Sequence, residues 1–338
     1  MIRTVLICDL SRSLTRPPVL FSLMRSLLLS LILLVPLSSE SVAQRRRGPS
    51  IVEPIDLPGG SRVELGSFQS TDIGGTEAFS IFLPPSYSKT TVSYPVVYFL
   101  HGLFNDHTSW ASHQHGDIPA VLDQLMVKGR LPELVIVFPD GDRSFYTNFR
   151  NGGPKYEDLI VDELPDYIES HYRIKPGAEN RAIAGTSMGG YGALKIAMRH
   201  PDRYAAVAAH SPIVFPIKNP LDIPEEAKAN RQFQYLTGVF AEVYGDPFDQ
   251  AYFDENNPLE LASKPGLDGL GIYFDYGTND RYNQRIGLGK GLEKLDAALT
   301  ANGVAHVFRV HEGEPHGWAL VYAHIQESLS YIAEHLAH

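Results

Sequence analysis

A single cysteine, Cys8, stands among the 338 residues. A disulfide within one copy of the chain is therefore excluded, and so is a thiolate-rich zinc centre. Positive charge is scarce as well. Lys and Arg number 29 against 39 Asp and Glu, for a net charge of −10. A nucleic-acid partner usually leaves a basic footprint. The short run Arg45-Arg46-Arg47 reads instead as solvated chain. Long apolar runs are also missing. The stretch from Leu27 to Leu37 is too short for a comfortable membrane span. What remains is 43% hydrophobic and 20% charged residues, an ordinary globular composition that excludes a disordered tail protein.

The same apolar stretch has a second meaning. Arg25 precedes it, and Ser41-Val42-Ala43-Gln44 follows, with small residues at −3 and −1 of a cut after Ala43. That layout predicts a signal peptide over residues 1–43 and a secreted or periplasmic protein. An uncleaved anchor is the alternative, and membrane contact is expected only through this segment. The residues before Met24 do not resemble the start of such a peptide, which leaves open a start at Met24. Cleavage would discard Cys8, so the mature chain is expected to have no thiol and to rely on its core.

Residues 44–60 are rich in Arg, Pro and Gly and read as a linker. From residue 61 onward the pattern changes. Ala78 to Leu83, Pro95 to Leu100 and Leu134 to Phe138 are short apolar runs closed by turn residues, as in strands buried on both faces. Arg181 to Ala184, Ala205 to Ala209, Ile272 to Tyr276 and His306 to Val310 continue the series. Helical spacings lie between them. Ile160, Leu164 and Ile168 share a face, with a kink expected at Pro165. Leu288, Leu292, Leu295 and Leu299 mark another helix, and Tyr322, Ile325, Leu329 and Ile332 the last. Alternating strands and helices predict one α/β domain over 61–338, with a mostly parallel sheet covered on both faces. Residues 211–265 break the rhythm and read as a cap-like insertion.

Chemistry enters at Gly185-Thr186-Ser187-Met188-Gly189. A strand precedes this pentapeptide and a helix from Tyr191 to Arg199 follows, which is the context of a nucleophile elbow. Small residues let strand and helix cross closely while the serine oxygen points out of the sheet. A serine hydroxyl needs a base, and in this fold class the partners follow in the order Ser, acid, His. Asp280 follows a strand in Gly277-Thr278-Asn279-Asp280, and His316 follows the next. Asp275 is the competing acid, and a plain loop cap is the other reading of Asp280. His306 and His311 lie in or beside a strand and are poorer bases. Backbone N–H groups of Met188 and Leu103 are the expected oxyanion donors, although His101-Gly102-Leu103 could be an ordinary strand-ending turn. His107, His113 and His115 fit no zinc spacing, so neither a metal nor any other cofactor is expected.

These residues resemble the putative-esterase family of α/β-hydrolases. The resemblance rests on Val96-Val97-Tyr98-Phe99-Leu100-His101-Gly102, on Glu163 to Glu169, on Gly185-Thr186-Ser187-Met188-Gly189-Gly190-Tyr191-Gly192-Ala193, on Gly277-Thr278-Asn279-Asp280 and on His316-Gly317-Trp318. It implies an α/β-hydrolase fold with Ser187, Asp280 and His316 as a triad. It also implies Leu103 and Met188 as oxyanion donors. Feruloyl and acetylxylan esterases, S-formylglutathione hydrolases and mycolyltransferases share the pattern. The glutathione-dependent members are typically cytosolic and carry a cysteine near the first oxyanion loop. Here that loop reads Leu103-Phe104-Asn105-Asp106 after an export signal. The expectation is therefore hydrolysis of carbohydrate-linked or short-chain esters, with the ester itself unnamed by the fold. Acyl transfer to a sugar or other alcohol is the alternative, and a non-catalytic binding protein the second. Oligomeric state is not readable from the sequence.

Overall fold

A computed structural model describes residues 53–111, 116–222 and 231–337. Nine strands form one sheet in the order β1-β2-β3-β5-β4-β6-β7-β8-β9. They are β1 (Ile55–Asp56), β2 (Arg62–Ser70), β3 (Gly75–Leu83), β4 (Val96–Leu100), β5 (Val135–Pro139), β6 (Arg181–Thr186), β7 (Ala206–His210), β8 (Gly271–Gly277) and β9 (His306–His311). The first three pair antiparallel, and β3 joins β5 antiparallel. From β5 across to β9 every pairing is parallel.

The strands that read as unbroken apolar runs are those covered twice. Tyr98, Leu100, Ile183, Val207 and Phe274 face one core, with helices α2 (Leu164–His171), α3 (Met188–Arg199) and α8 (Leu288–Ala301). Val97, Phe99, Ala182, Ala208 and Tyr273 face the other, with α1 (Ile118–Val127) and α9 (Trp318–His335). Successive residues alternate between the two cores, as the pleat requires. No helix of the described residues is long and apolar enough to cross a membrane.

Topology selects where a site forms. From β4 the chain goes to β5 on one side, then to β6 on the other. Strand order therefore reverses between β4 and β6, and a crevice opens at their carboxyl ends. Leu100 and Gly185 are paired there, so the stretches after them, His101-Gly102-Leu103 and Thr186-Ser187, start side by side.

Three expectations are corrected. The stretch read as a linker is partly sheet, because β1 pairs with β2 and the N–H groups of Gly59 and Ser61 donate to Asp123 of α1. The helix around Pro165 is altered one turn earlier than expected. A π-helical turn, Leu159–Glu163, precedes α2, and the Val161 and Ile160 carbonyls that face the proline's missing donor accept instead from Arg203 at 2.7 Å and Tyr204 at 3.4 Å. Residues 211–265 carry α4 (Arg231–Tyr244), α5 (Gln250–Glu255) and α6 (Pro258–Leu261). Their Phe240, Tyr244 and Phe253 are buried in the same core as the sheet, so this segment completes the body of the domain.

A buried ion pair braces the loop after β5. Asp142, Phe145 and Tyr146 there have positive φ angles of 44°, 53° and 52°, conformations that cost energy for residues with a Cβ. Lys195 of α3 is fully buried and reaches into this loop. It donates to the Tyr146 carbonyl, to Thr147 Oγ1 at 3.2 Å and to Glu157 at 2.7 Å. Burial pushes the Glu157 carboxyl up, but Lys195, His200 and Arg199 outweigh it and hold it well below the usual carboxylate range. Lys195→Met removes one partner of a buried pair and is expected to destabilise the fold by about 3 kcal/mol. Urea denaturation checks this, and a loss within error of zero contradicts it.

Candidate active site

Ser187 follows the last residue of β6 and has φ 59° and ψ −116°, a strained geometry for a residue with a side chain. The turn is pinned on both sides. Its N–H donates to the His210 carbonyl at 2.8 Å, and its carbonyl accepts from Tyr191 at 3.0 Å and Ile213 at 3.3 Å. The glycines are steric necessities. A Cβ on Gly185 would lie 2.3 Å from the Gly189 carbonyl oxygen, and one on Gly189 would lie 2.1 Å from that of Leu100. Helix α3 therefore begins against the strand ends, earlier than the apolar pattern predicts. Met188 is its first residue, so the Met188 N–H has no acceptor within the helix.

Asp280 and His316 come from loops that are sewn together. Thr278 N–H donates to the His311 carbonyl at 2.9 Å, Asn279 N–H to that of Glu314 at 3.1 Å, and Gly313 N–H to Thr278 Oγ1 at 2.8 Å. A Cβ on Gly277 would lie 2.0 Å from the Glu314 carbonyl oxygen. Asp280 then caps α7 (Arg281–Ile286), with Oδ1 accepting the Tyr282 N–H at 2.8 Å. Its other oxygen lies 2.6 Å from His316 Nδ1, and His316 Nε2 lies 2.8 Å from Ser187 Oγ. Asp280 is buried, and the Tyr282 ring meets the imidazole edge-on at 4.6 Å. The chain of contacts fixes the proton order: Nδ1–H to Asp280, and the Ser187 hydroxyl to Nε2. Such a line can take the serine proton and stabilise the imidazolium that results.

The competing carboxylate is engaged elsewhere. Asp275 is fully buried within β8 and accepts from His210 Nδ1 at 2.9 Å, Tyr273 at 3.1 Å and His311 at 3.2 Å. These partners also serve the turns above through their backbones, since His210 and His311 supply the carbonyls that hold Ser187 and Thr278. His306 pairs with Asp296 at 2.9 Å. Leu103 follows Gly102, where a Cβ would lie 3.3 Å from Ser187 Cβ. The structure thus brings Ser187, His316 and Asp280 together and sets the Leu103 segment against them.

Sequence reasoning missed two polar side chains beside this segment, His101 and Asn105. Their signal was their place next to Leu103, but their partners lie far along the chain. Of the loop histidines, His107 approaches Asp140 at 3.6 Å, and His113 and His115 lie outside the described residues. As to metals, His311, His324 and Glu327 offer ligand atoms within 4.8 Å of one another. The two rings stack face to face at 3.5 Å, so their lone pairs run side by side instead of converging, and Glu327 is bound to Arg309 at 2.9 Å.

Known proteins agree with this architecture. A profile of the family described as putative esterase matches residues 70–324. An esterase of Mycobacterium tuberculosis strain H37Rv is 29% identical over 203 residues, covering 57% of this chain and 41% of that protein. The match thus spans less than half of that relative. A solved ferulic acid esterase superposes with a TM-score of 0.64 at 26% identity, over 82% of this chain and 99% of that one. An S-formylglutathione hydrolase from Agrobacterium tumefaciens shares the fold, with a TM-score of 0.62 at 21% identity over 82% and 96% of the two chains.

The Asp275 cluster predicts a pH effect. Burial pushes this carboxyl up, but His210 and His311 outweigh it and lower it to about 2. An unfolded aspartate titrates near ~3.9. A depressed folded value contributes stability that is complete above the unfolded value and lost as pH falls through the folded one. The wild-type melting temperature should therefore drop between about pH 4 and pH 2, and Asp275→Asn should flatten that drop. Thermal melts across this range test it, and parallel curves would contradict it.

Proposed function

This chain belongs to the putative-esterase family, and from that premise we propose that it is a carboxylic ester hydrolase with Ser187 as its nucleophile, His316 as its general base and Asp280 as the acid that orients the base. The observation that carries this reading is the unbroken hydrogen-bonded line from Asp280 through His316 to Ser187, ending on a strained turn.

The geometry supports the following steps. His316 Nε2 takes the Ser187 proton as Oγ attacks the ester carbonyl. Negative charge develops on the former carbonyl oxygen, and the Met188 and Leu103 N–H groups stabilise it. The N-terminal end of α3 adds its partial positive charge. Asp280 holds the tautomer and stabilises the imidazolium without itself taking a proton. His316 returns the proton to the departing alcohol, and an acyl group remains on Ser187. Water, activated by the same imidazole, then releases the acid.

The substrate we propose is an acetyl, feruloyl or other short ester on a carbohydrate, met outside the cytoplasm. Three observations support it. The solved neighbour at 26% identity is a ferulic acid esterase. The loop Leu103-Phe104-Asn105-Asp106 holds no cysteine. Aromatic rings flank the reacting groups: Phe104 is half exposed and packs on Tyr235 of α4 at 5.3 Å, and Tyr282 borders His316. The segment Ser41-Val42-Ala43 supplies the export reading. It lies outside the described residues, and N-terminal sequencing of protein from culture fluid or periplasm tests it, with Gln44 expected first.

Ser187→Ala should lower kcat by roughly 10³-fold or more, with a residual rate from the oxyanion donors. It should also abolish labelling by a fluorophosphonate. Asp280→Asn should cost roughly 10⁴-fold in kcat, by analogy with other triads, and Asp275→Asn far less. A folded Ser187→Ala enzyme with near-normal activity, or a reversal of the two aspartates, refutes the assignment. The substrate class is tested separately, by comparing methyl ferulate and acetylated xylan with p-nitrophenyl esters of increasing chain length. Activity confined to long acyl chains would refute that part.

A further inference from the structure

Two loops must be held at a fixed separation for this site to work. One follows β4 and carries Leu103. The other precedes α9 and carries His316. Each is well anchored to its own strand, but that alone does not fix one against the other.

The peptide between Gly102 and Leu103 has a defined orientation. The Gly102 carbonyl accepts from the Asn105 N–H at 3.0 Å and faces His101 Nδ1 at 2.9 Å. That nitrogen has an acceptor as its partner, so it bears a proton. The opposite nitrogen, Nε2, receives the Gly141 N–H at 2.9 Å and lies 3.3 Å from Asp140. In a trans peptide the N–H points opposite to the C=O. Fixing the Gly102 carbonyl with two donors therefore fixes the direction of the Leu103 N–H.

Asn105 does more than hold that carbonyl. Its Oδ1 accepts the indole N–H of Trp318 at 3.2 Å. Trp318 opens α9 two residues after His316 and is buried, with its ring stacked on Phe99 at 5.7 Å. A Cβ on Gly102 would lie 3.3 Å from both Asn105 Oδ1 and Ser187 Cβ, so this contact sits directly beside the nucleophile. Asn105 thus joins the oxyanion peptide, through its backbone N–H, to the residue two positions after the base, through its side chain.

We propose that Asn105 and Trp318 are positioning residues, whose hydrogen bond sets the oxyanion donor Leu103 in register with His316 and Ser187. The proposal rests on the roles assigned above to those three groups. Neither Asn105 nor Trp318 touches a reacting atom in this scheme. They act through the loops they join.

The test is a double-mutant cycle. Trp318→Phe keeps the stacked ring and removes only the N–H. Asn105→Ala removes the acceptor. Hydrolysis of p-nitrophenyl acetate and the rate of inactivation by a fluorophosphonate are measured for both singles, the double and Ser187→Ala, with thermal melts to establish folding. A hydrogen bond of this kind contributes about 0.5–1.5 kcal/mol, so each single should lose about 3- to 10-fold in kcat with KM within about twofold. The inactivation rate should fall in parallel, because its phosphoryl oxygen needs the same donors. The double should be no worse than the poorer single. Multiplicative losses, or melting temperatures that fall while kcat is unchanged, overturn the positioning role. Trp318→Phe alone decides the matter if Asn105→Ala does not fold. An active Ser187→Ala would bring down the underlying triad reading. An inactive Ser187→Ala beside Trp318→Phe at full kcat brings down only the role proposed for this pair.

Discussion

The site depends on a backbone crossing that leaves no room for a Cβ. Gly189 at the start of α3 lies against the Leu100 carbonyl, and Gly185 of β6 lies against the Gly189 carbonyl. That contact forces Ser187 into a positive φ and turns its hydroxyl out of the sheet. It also brings the end of β4 next to Ser187, so the Leu103 segment and Ser187 share one crevice. Strain at Ser187 persists because its N–H and carbonyl are both held by neighbouring backbone.

Much of this was legible in the sequence, for reasons that are local. Strands β4 to β8 are covered on both faces, so their apolar runs are nearly continuous, with Asp275 inside β8 the main interruption. The elbow is readable because Gly185 is demanded by a contact only four residues along the chain, although Gly189 answers to Leu100 of another strand. Asp280 could be preferred over Asp275 because it lies past the strand end, where a side chain is free of the pleat. What stayed hidden depends on distant partners. Asp123 of α1 holds Gly59 and Ser61, which turns a stretch that reads as a linker into part of the fold. The π-helical turn before Pro165 has no periodic signature. Asn105 meets Trp318 across 213 positions of chain, a pairing that no window of sequence contains.

The buried polar groups form two foundations under the site. Lys195 and Glu157 brace the strained loop after β5, whose Tyr146 hydroxyl reaches the His101 carbonyl at 3.2 Å. Asp275, with His210 and His311, stands beneath the turns that carry Ser187 and Thr278. In both cases an ionisable side chain outside the Ser187–His316–Asp280 line holds backbone that borders it. This division explains why the domain buries these charges despite their cost: Glu157 and Asp275 each have several donors and secure more than one segment.

The sewn loops of Asp280 and His316 have a mechanical consequence. Acid and base are joined by three backbone-anchored hydrogen bonds as well as their own contact, so they move as one body. Ser187 belongs to a second body, the β6–α3 unit. The two bodies meet at the 2.8 Å contact from His316 Nε2 to Ser187 Oγ and are tied beneath it by Asp275, which accepts from both His210 and His311. Proton transfer is steeply sensitive to this distance, so the register of the imidazole on the serine hydroxyl depends on how the two pieces are tied together, more than on the internal order of either.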